Sequence, residues 1–227
     1  MEYGQFCPIA KAMELLGEKW TLLILRELHM GATRFSELQR GLSLISPTIL
    51  TKRLSELAAA ELILRKKISG QRGYEYFLTQ AGKETLPLLR VVGEWGMRWA
   101  RGDLRNTELD VELLMLYLQR SIKTDNLPGE QSVIQFKFTD LNRLNNWWLL
   151  VHGASVDVCL EDPGKEVDLY LTTDLPTMVG CWMGDESYKQ AIAEKRLKLV
   201  GPSALTRNVQ HWIADSSFAG IPPANQI

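Results

Sequence analysis

The chain has 227 residues, 45% hydrophobic and 23% charged, so it can bury a sizeable core and is long enough for two modest domains. No apolar run approaches the roughly 20 residues of a transmembrane helix, and Glu2 and Glu14 bracket too short an apolar segment for a signal peptide. We therefore expect a cytoplasmic protein. Cys7, Cys159 and Cys181 lie far apart without a CxxC pair, which argues against a disulfide framework or a zinc knuckle.

Charge is distributed unevenly along the chain. Residues 1–106 carry 16 Lys and Arg against 11 Asp and Glu, a balance of +5, whereas residues 107–227 carry 10 against 16, a balance of −6. A basic half beside an acidic half is expected when one domain meets a polyanion and the other does not. The charge balance alone does not establish nucleic-acid binding, because many proteins with such a balance never bind nucleic acid.

The N-terminal half opens with three predicted helices, CPIAKAMELLG, KWTLLILRELH and the shorter FSELQRGL. The apolar residues of the second helix recur at spacings of three and four, so we expect one deeply buried face. That face is Trp20, Leu23, Ile24 and Leu28.

The next segment, ISPTILTKRLSEL, predicts an amphipathic helix that Ser46 caps and Pro47 opens. At about 100° of rotation per residue, its leucines fall on one side, while the opposite side is short, hydroxylated and cationic. Such side chains can hydrogen-bond base edges and phosphates in a major groove. The candidate DNA-binding residues of this helix are Ser46, Thr48, Thr51, Lys52, Arg53 and Ser55.

A basic hairpin follows, because LILRKKIS and GYEYFLT predict two strands joined by a glycine-rich turn. Lys67 and Arg72 flank that turn as candidate DNA contacts, and Arg72 is the better placed to reach a minor groove or its phosphates. The helix or the hairpin alone is also compatible with an ordinary solvated surface. Three helices, a polar-faced helix and a basic hairpin in this order, however, are the layout of a winged helix-turn-helix.

Several motifs within residues 6 to 101 resemble the HxlR-type family of winged-helix transcriptional regulators. They are the Cys-Pro start, the Gly-x-Lys-Trp-Thr block, Arg-Phe-x-Glu-Leu, Leu-Thr-x-Arg-Leu and the Tyr-x-Leu-Thr-x-x-Gly end. The resemblance implies a homodimer on pseudo-palindromic, double-stranded operator DNA, with the helix from Ser46 in the major groove and the hairpin as the wing. One departure is SGQRGYEY, which stands where the family's wing usually carries a proline-containing segment.

Cys7 stands at a predicted helix N-cap, where the helix dipole and Lys11 one turn later favour a thiolate. The family resemblance implies that a cysteine here can sense oxidants or electrophiles. A small buried residue is the simpler interpretation, and we favour it.

After the wing, QAGKETLPLLRVVGEWGMRWARG predicts one long helix or a pair of helices. Its apolar stripe is either core or an interface, and the family resemblance favours the interface, which is either the dimer seam or the contact with the second half of the chain. The stripe consists of Leu88, Val92, Trp95 and Trp99.

The segment GDLRNTELD, with Gly102, Asp103 and Asn106, predicts a linker, so we divide the chain into domains at residues 1–104 and 105–227. Beyond the linker, an amphipathic helix, four strand-like runs, two helices, a brief strand and a last helical segment predict a largely antiparallel sheet covered by helices on one face. The whole chain is therefore expected to be α+β, a winged helix-turn-helix followed by a sheet-and-helix domain.

The second half is rich in bulky, soft side chains, which suit either a pocket for an apolar ligand or an aromatic-rich core. The segment from Trp182 to Ile213 resembles the end of the sterol carrier protein 2-like domain, a module that encloses a lipid tunnel, and this resemblance implies a fatty acyl or other lipid-like effector. The candidate ligand-binding residues are Phe136, Trp147, Met178, Trp182 and Trp212.

Catalytic motifs are missing from the sequence, which holds no GxSxG, no HExxH and no phosphate-binding glycine loop. His29, His152 and His211 show no metal-ligand spacing, so we expect no enzyme, no metal and no cofactor. Two functions stay open. One is a one-component DNA-binding regulator controlled by an apolar effector. The other is a lipid-binding or carrier protein whose N-terminal half serves protein association.

Overall fold

The computed structural model describes residues 2–70, 72–101 and 109–224. The chain divides into two compact units, Met1–Trp95 and Gly96–Ile227, and each unit has its own hydrophobic core. The domain boundary predicted between residues 104 and 105, like the predicted linker residues Gly102, Asp103 and Asn106, lies outside the described residues. That boundary therefore stays a prediction.

The first unit contains the predicted helices and hairpin in the predicted order. The two strands are antiparallel, with Ile63 opposite Leu78 and Lys67 opposite Tyr74. The elements are α1 (Pro8–Leu16), α2 (Thr21–His29), α3 (Phe35–Gly41), α4 (Pro47–Ala59), β1 (Ile63–Lys67), β2 (Tyr74–Leu78), α5 (Gln80–Lys83) and α6 (Leu86–Trp95). This is a winged helix, and the departure SGQRGYEY does not prevent the hairpin.

The core of this unit forms where α2 packs against α3, α4 and the hairpin. The predicted buried face of α2 is partly wrong, since Leu23 is 39% exposed while Leu25 is fully buried. A helix turns by about 100° per residue, so a stripe that passes through Leu25 and Thr21 leaves Leu23 at its edge. The buried side chains of α2 are Thr21, Ile24, Leu25, Glu27 and Leu28.

The second unit is a five-stranded sheet with helices. Its elements are a π-helical turn (Gly96–Ala100), α7 (Val111–Ser121), a 3-10 turn (Thr124–Asn126), β3 (Gln131–Phe138), β4 (Asn146–His152), β5 (Ser155–Cys159), β6 (Leu169–Thr173), α8 (Leu175–Met183), α9 (Tyr188–Ala193), β7 (Lys198–Val200), α10 (Ser203–Thr206) and α11 (Val209–Trp212). The strand order is β5-β4-β3-β6-β7. Strands β3 and β6 run parallel and the other neighbours antiparallel, which confirms the expected, largely antiparallel sheet.

Alternating side chains of the sheet build one core with the helices. Along β6, Leu169, Leu171 and Thr173 are buried, whereas Tyr170 is exposed, as expected for a strand with one covered face. Helices α7 to α11 each add buried residues to the same cluster. The α+β class is confirmed. Within the residues that the structure describes, no helix has the length and apolarity to cross a membrane.

Candidate nucleic-acid interface

Helix α4 presents the polar face that its sequence predicts. Ser46 Oγ accepts a hydrogen bond from the Ile49 backbone N–H at 3.3 Å, and Pro47, which has no N–H to leave unpaired, opens the helix. Leu50, Leu54 and Leu57 are buried. Because these leucines fix the rotation of the helix, the opposite side faces solvent. Its exposed residues include Ser46, Thr48, Thr51, Lys52 and Ser55, and Ile49 and Glu56 are exposed beside them.

Two hydroxyl groups on this face already donate to the helix itself. Thr51 Oγ1 donates to the Pro47 carbonyl oxygen at 2.8 Å, and Ser55 Oγ donates to the Thr51 carbonyl oxygen at 3.0 Å. A hydroxyl that donates in this way keeps its lone pairs for a partner outside the helix. In this arrangement Thr51 and Ser55 offer acceptors, which suit the amino groups that adenine and cytosine present in the major groove.

Lys52 is the most accessible cation of α4. Its Nζ lies 3.8 Å from Glu56 Oε1, and both side chains are largely exposed. An exposed pair at this distance contributes little to stability. Lys52 can therefore leave Glu56 and bind a phosphate or a guanine edge at a small cost in free energy.

Arg53, a predicted DNA contact, is used inside the unit. Its guanidinium lies 2.7 Å from Glu18 and 2.6 Å from Glu56, and its side chain is only 14% exposed. Its Nε is buried and has no hydrogen-bond partner among the described residues. The structure thus gives Arg53 a positioning role, because it fastens α4 to the segment that joins α1 and α2, and it identifies Glu18, which sequence reasoning missed.

The wing brings a second set of cations to the surface. The Arg65 guanidinium lies 3.5 Å from the centroid of the Tyr74 ring, and Lys66 Nζ lies 5.1 Å from that of Phe77, so both are held by aromatic faces. Lys67 and Arg72, the two predicted contacts, are exposed, and the described residues supply no ion-pair partner for either.

The wing turn depends on glycine. Gly70 and Gly73 have φ angles of 71° and 119°, a region that other residues rarely adopt. The Tyr76 backbone N–H donates to the Thr33 carbonyl oxygen at 2.8 Å. This bond ties the hairpin to the segment before α3, so the two wing cations are carried by an anchored element.

Two family motifs have clear physical roles. In Arg-Phe-x-Glu-Leu, Glu37 Oε2 accepts hydrogen bonds from the backbone N–H groups of Thr33 and Arg34 at 2.8 and 3.0 Å. Burial alone would raise the pKa of Glu37, but these hydrogen bonds bring the pKa below its ordinary value.

In the second motif, Tyr-x-Leu-Thr-x-x-Gly, Thr79 Oγ1 accepts a hydrogen bond from the Gly82 backbone N–H at 3.1 Å. A Cβ at Gly82 would lie 2.1 Å from the Leu62 carbonyl oxygen, so only glycine fits there.

The apolar stripe after the wing is not core. Trp95 and Trp99 are 60% and 66% exposed, and Leu88 and Val92 are exposed as well. The predicted pair of helices is present as α5 and α6, followed by the π-helical turn. Of the two interpretations of the stripe, burial within the chain's own core is wrong, and the dimer interface stays a prediction.

Cys7 occupies the predicted N-cap of α1, but its side chain makes no capping hydrogen bond, and it is half-buried. Lys11 Nζ lies 3.0 Å from Glu14 Oε2. The Lys11 ammonium group is therefore paired with Glu14, and the redox role of Cys7 stays an untested expectation.

The predicted ligand-binding residues lie mostly in the core of the second unit. Phe136, Trp147, Met178 and Trp212 are buried. Trp182 is partly buried, stacks on Tyr117 at 5.0 Å between ring centroids and donates to Ser121 Oγ at 2.9 Å. The aromatic-rich core is thus the better description of Phe136, Trp147, Met178 and Trp212 in this structure, and a ligand-binding role of these residues stays a prediction. Within the described ranges, no group of three or more His, Cys, Asp or Glu is placed to hold a metal ion.

A polar-faced helix over buried leucines, beside an anchored basic hairpin, defines a winged helix-turn-helix protein. The HxlR-like helix-turn-helix model matches residues 15–103, and the SCP-2 sterol transfer family model matches residues 116–213. YvaP of Bacillus subtilis (strain 168), described as an uncharacterized HTH-type transcriptional regulator, is 34% identical over 101 residues, which are 44% of this chain and 94% of YvaP. The chain belongs to the HxlR-like helix-turn-helix family and carries a C-terminal SCP-2 sterol transfer family domain.

Two further proteins are similar to part of this chain. The uncharacterized HTH-type transcriptional regulator Rv3095 of Mycobacterium tuberculosis (strain ATCC 25618 / H37Rv) is 42% identical over 89 residues, which are 39% of this chain and 56% of Rv3095. The chain thus spans little more than half the length of that relative. The reduced form of the transcriptional regulator YodB from B. subtilis shows 30% identity and a TM-score of 0.36, over 40% of this chain and 92% of YodB.

Proposed function

We propose that this protein is a one-component transcriptional regulator that binds operator DNA as a homodimer and changes its operator affinity when an apolar, lipid-like effector enters the C-terminal domain. The observation that carries the proposal is the exposed set Thr48, Lys52 and Ser55 on α4. Buried leucines hold this set outward, and Lys67 and Arg72 add charge from the wing. Family membership supports the same conclusion.

The dimensions and chemistry of α4 suit a major groove. Thirteen residues at a rise of 1.5 Å each give a helix of about 20 Å, and a groove about 12 Å wide admits an α-helix. Lys52 supplies positive charge, while the acceptors of Thr51 and Ser55 supply hydrogen-bonding capacity for base edges. In this proposal the exposed cations of the wing neutralise neighbouring phosphates and position the helix without reading sequence.

A homodimer explains the uncovered apolar stripe. Exposed apolar groups that lie next to one another often mark an interaction surface, and Trp95 and Trp99 are the largest of this stripe. Two copies related by a twofold axis would present two α4 helices to half-sites about 34 Å apart, one turn of the duplex. The operator is then pseudo-palindromic.

Control by an effector requires a ligand that binds one conformation of the protein better than the other. The match to the SCP-2 sterol transfer family supports a ligand with an aliphatic part. The buried core of the second unit, which includes Phe136 and Met178, supplies an apolar environment for that part. In the proposed mechanism, uptake of the ligand changes the spacing of the two α4 helices across the dimer.

A mobility-shift assay across a salt series tests the DNA-binding part. Specific binding should weaken steeply as salt rises, because every neutralised phosphate releases counterions. The second candidate, a lipid carrier with an N-terminal association domain, is favoured by the SCP-2 match and the exposed stripe. It predicts no sequence-preferring complex at any salt concentration. Mass spectrometry of small molecules released from the purified, undenatured protein identifies the bound ligand, which is the effector under the first function and the cargo under the second.

A further inference from the structure

The polar face of α4 contains an aliphatic side chain in addition to its hydroxyl groups and its cation. Ile49 is 41% exposed, whereas the next residue, Leu50, is fully buried. At about 100° of rotation per residue, Ile49 lies about 100° from Leu50 and about 60° from Lys52. Ile49 is therefore outside the buried leucine stripe and beside the exposed cation.

Ile49 belongs to the first turn of α4, which begins at Pro47. The N-terminal residues of the recognition helix are those that contact base edges in a helix-turn-helix. Thr48 and Lys52 are exposed as well, so a major groove that receives these two side chains also receives Ile49. The position of Ile49 thus favours contact with a base edge.

The backbone and the side chain of Ile49 are both constrained. The Ile49 backbone N–H donates to Ser46 Oγ at 3.3 Å, and this cap holds the first turn of the helix. A β-branched side chain has one strongly preferred rotamer in a helix, so little conformational entropy is lost when Ile49 packs against a ligand. Such preorganisation lowers the free-energy cost of binding.

The neighbour of Ile49 one turn later offers little competition for the same contact. Residues four apart on a helix lie side by side, and Arg53 is four residues after Ile49. The Arg53 guanidinium lies 2.7 Å from Glu18 and 2.6 Å from Glu56, and the Arg53 side chain is 14% exposed. This flank of α4 therefore offers more aliphatic than cationic surface to a partner.

Thymine is the base that suits an aliphatic side chain in the major groove. It presents a 5-methyl group there, and apolar side chains contact that group favourably. Adenine, guanine and cytosine present hydrogen-bonding groups at their major-groove edges. An isoleucine that covers such a group removes it from water without pairing it, which costs free energy. Ile49 therefore favours thymine both through a contact and through a penalty on the other bases.

We propose that Ile49 is a specificity-determining residue that contacts the 5-methyl group of a thymine in each half-site of the operator. This inference rests on the proposed function, because it requires specific operator binding, and it adds a base to which that binding responds. The contact involves no charge and releases no counterions. Its contribution to affinity is therefore independent of salt, in contrast to the phosphate contacts expected of the cations.

Replacement of thymine by deoxyuridine in the operator tests this inference, because it removes the 5-methyl group and preserves base pairing. The duplex is the one that the full chain selects from a random-sequence pool, and each thymine of one half-site is replaced in turn. At one position, the wild-type protein should lose affinity about fourfold, which corresponds to burial of one methyl group at about 0.8 kcal/mol. The salt dependence should not change. The variant Ile49→Ala should bind the thymine duplex more weakly and should no longer distinguish thymine from deoxyuridine at that position.

Leu44→Ala is the matched control for Ile49→Ala. Leu44 is 88% exposed and precedes α4, so this change removes another exposed aliphatic side chain of the same unit and leaves the helix intact. The control should distinguish thymine from deoxyuridine as the wild type does. Thermal unfolding checks that both variants fold.

The outcomes separate this inference from the proposed function. Half-sites without thymine, or equal affinity of the wild type for thymine and deoxyuridine at every position, overturn the inference alone. A methyl effect that Ile49→Ala retains in full, or that Leu44→Ala loses in its place, also overturns it. Failure to select any operator overturns the proposed function, and the inference with it.

Discussion

Glu18 and Arg53 join the segment between α1 and α2 to the middle of α4, with 2.7 Å between Glu18 Oε2 and Arg53 Nη2. Arg53 also pairs with Glu56 within α4 at 2.6 Å. The leucines of α4 fix which side of the helix faces outward, and this pair adds a polar link to the preceding helices. Arg53 therefore links α4 to the preceding segment through Glu18, and its predicted contact with DNA stays a prediction.

We expect Arg53→Ala and Glu18→Gln to have parallel effects. Each should lower the free energy of unfolding by about 1 kcal/mol, the upper range for partly exposed pairs, and each should weaken operator binding without changing its salt dependence. Thermal unfolding and anisotropy titrations check both variants. If Arg53→Ala alone reduced the salt dependence while Glu18→Gln left affinity unchanged, Arg53 would be a phosphate contact after all.

Lys52→Ala and Arg72→Ala should each weaken operator binding and leave thermal unfolding unchanged, because both side chains are exposed. Loss of one phosphate contact reduces the slope of log K against log salt by about 0.9. If Lys52 reads a base, its loss also costs about 1–3 kcal/mol and relaxes sequence preference at that position. Lys165→Ala in the second unit is the matched control. Wild-type affinity in both test variants would remove α4 and the wing from the interface.

Trp95→Ala and Trp99→Ala should shift the protein from dimer toward monomer. The chain mass is 25.8 kDa, so light scattering distinguishes the two states clearly. Leu160→Ala, which removes an exposed apolar side chain elsewhere, controls for loss of surface hydrophobicity. A dimer that persists in both tryptophan variants at micromolar concentration would show that the stripe serves another purpose.

Stability of the first unit should fall as the pH is lowered from 7.5 to 5.5. His29 Nε2 lies 3.2 Å from the Gly82 carbonyl oxygen and 3.1 Å from Thr85 Oγ1, and burial lowers the pKa of His29 although the bond to Gly82 opposes this. A histidine whose pKa is lowered on folding contributes stability above its unfolded pKa of about 6.5, and the contribution is lost as the pH falls below that value.

Thermal unfolding at several pH values checks the His29 prediction. The variant His29→Gln should flatten the decrease between pH 7.5 and 5.5, while His152→Gln, at an exposed position, should not. A decrease of equal size in all three proteins would mean that other groups control this pH range.

Tyr188→Phe should leave the protein as stable as the wild type or more stable by about 1 kcal/mol, since it removes a buried hydroxyl that has no hydrogen-bond partner among the described residues. Differential scanning calorimetry measures the difference. A lower melting temperature of the variant would reveal a partner of the hydroxyl.

Local periodicity was enough to predict which side of α4 is polar, because Leu50, Leu54 and Leu57 define the buried side without knowledge of the rest of the fold. The role of Arg53 was not predictable in this way. Its partner Glu18 lies 35 residues earlier, and periodicity gives no distances between separate elements.

The second unit shows the corresponding limit for cavities. Its strands and helices follow from alternation and turn residues, but composition does not distinguish a filled aromatic core from a lined pocket, so Phe136 and Met178 were assigned to a ligand and lie in the core.

The central claim is that α4 and the wing read DNA sequence. Selection of bound duplexes from a random-sequence pool by the full chain, followed by sequencing, tests it most directly. We predict enrichment of a pseudo-palindrome with half-sites about one helical turn apart, and loss of that enrichment in a Lys52→Ala, Arg72→Ala double variant that folds normally. A pool that remains random after repeated selection at low salt, or enrichment that the double variant retains in full, would contradict the account.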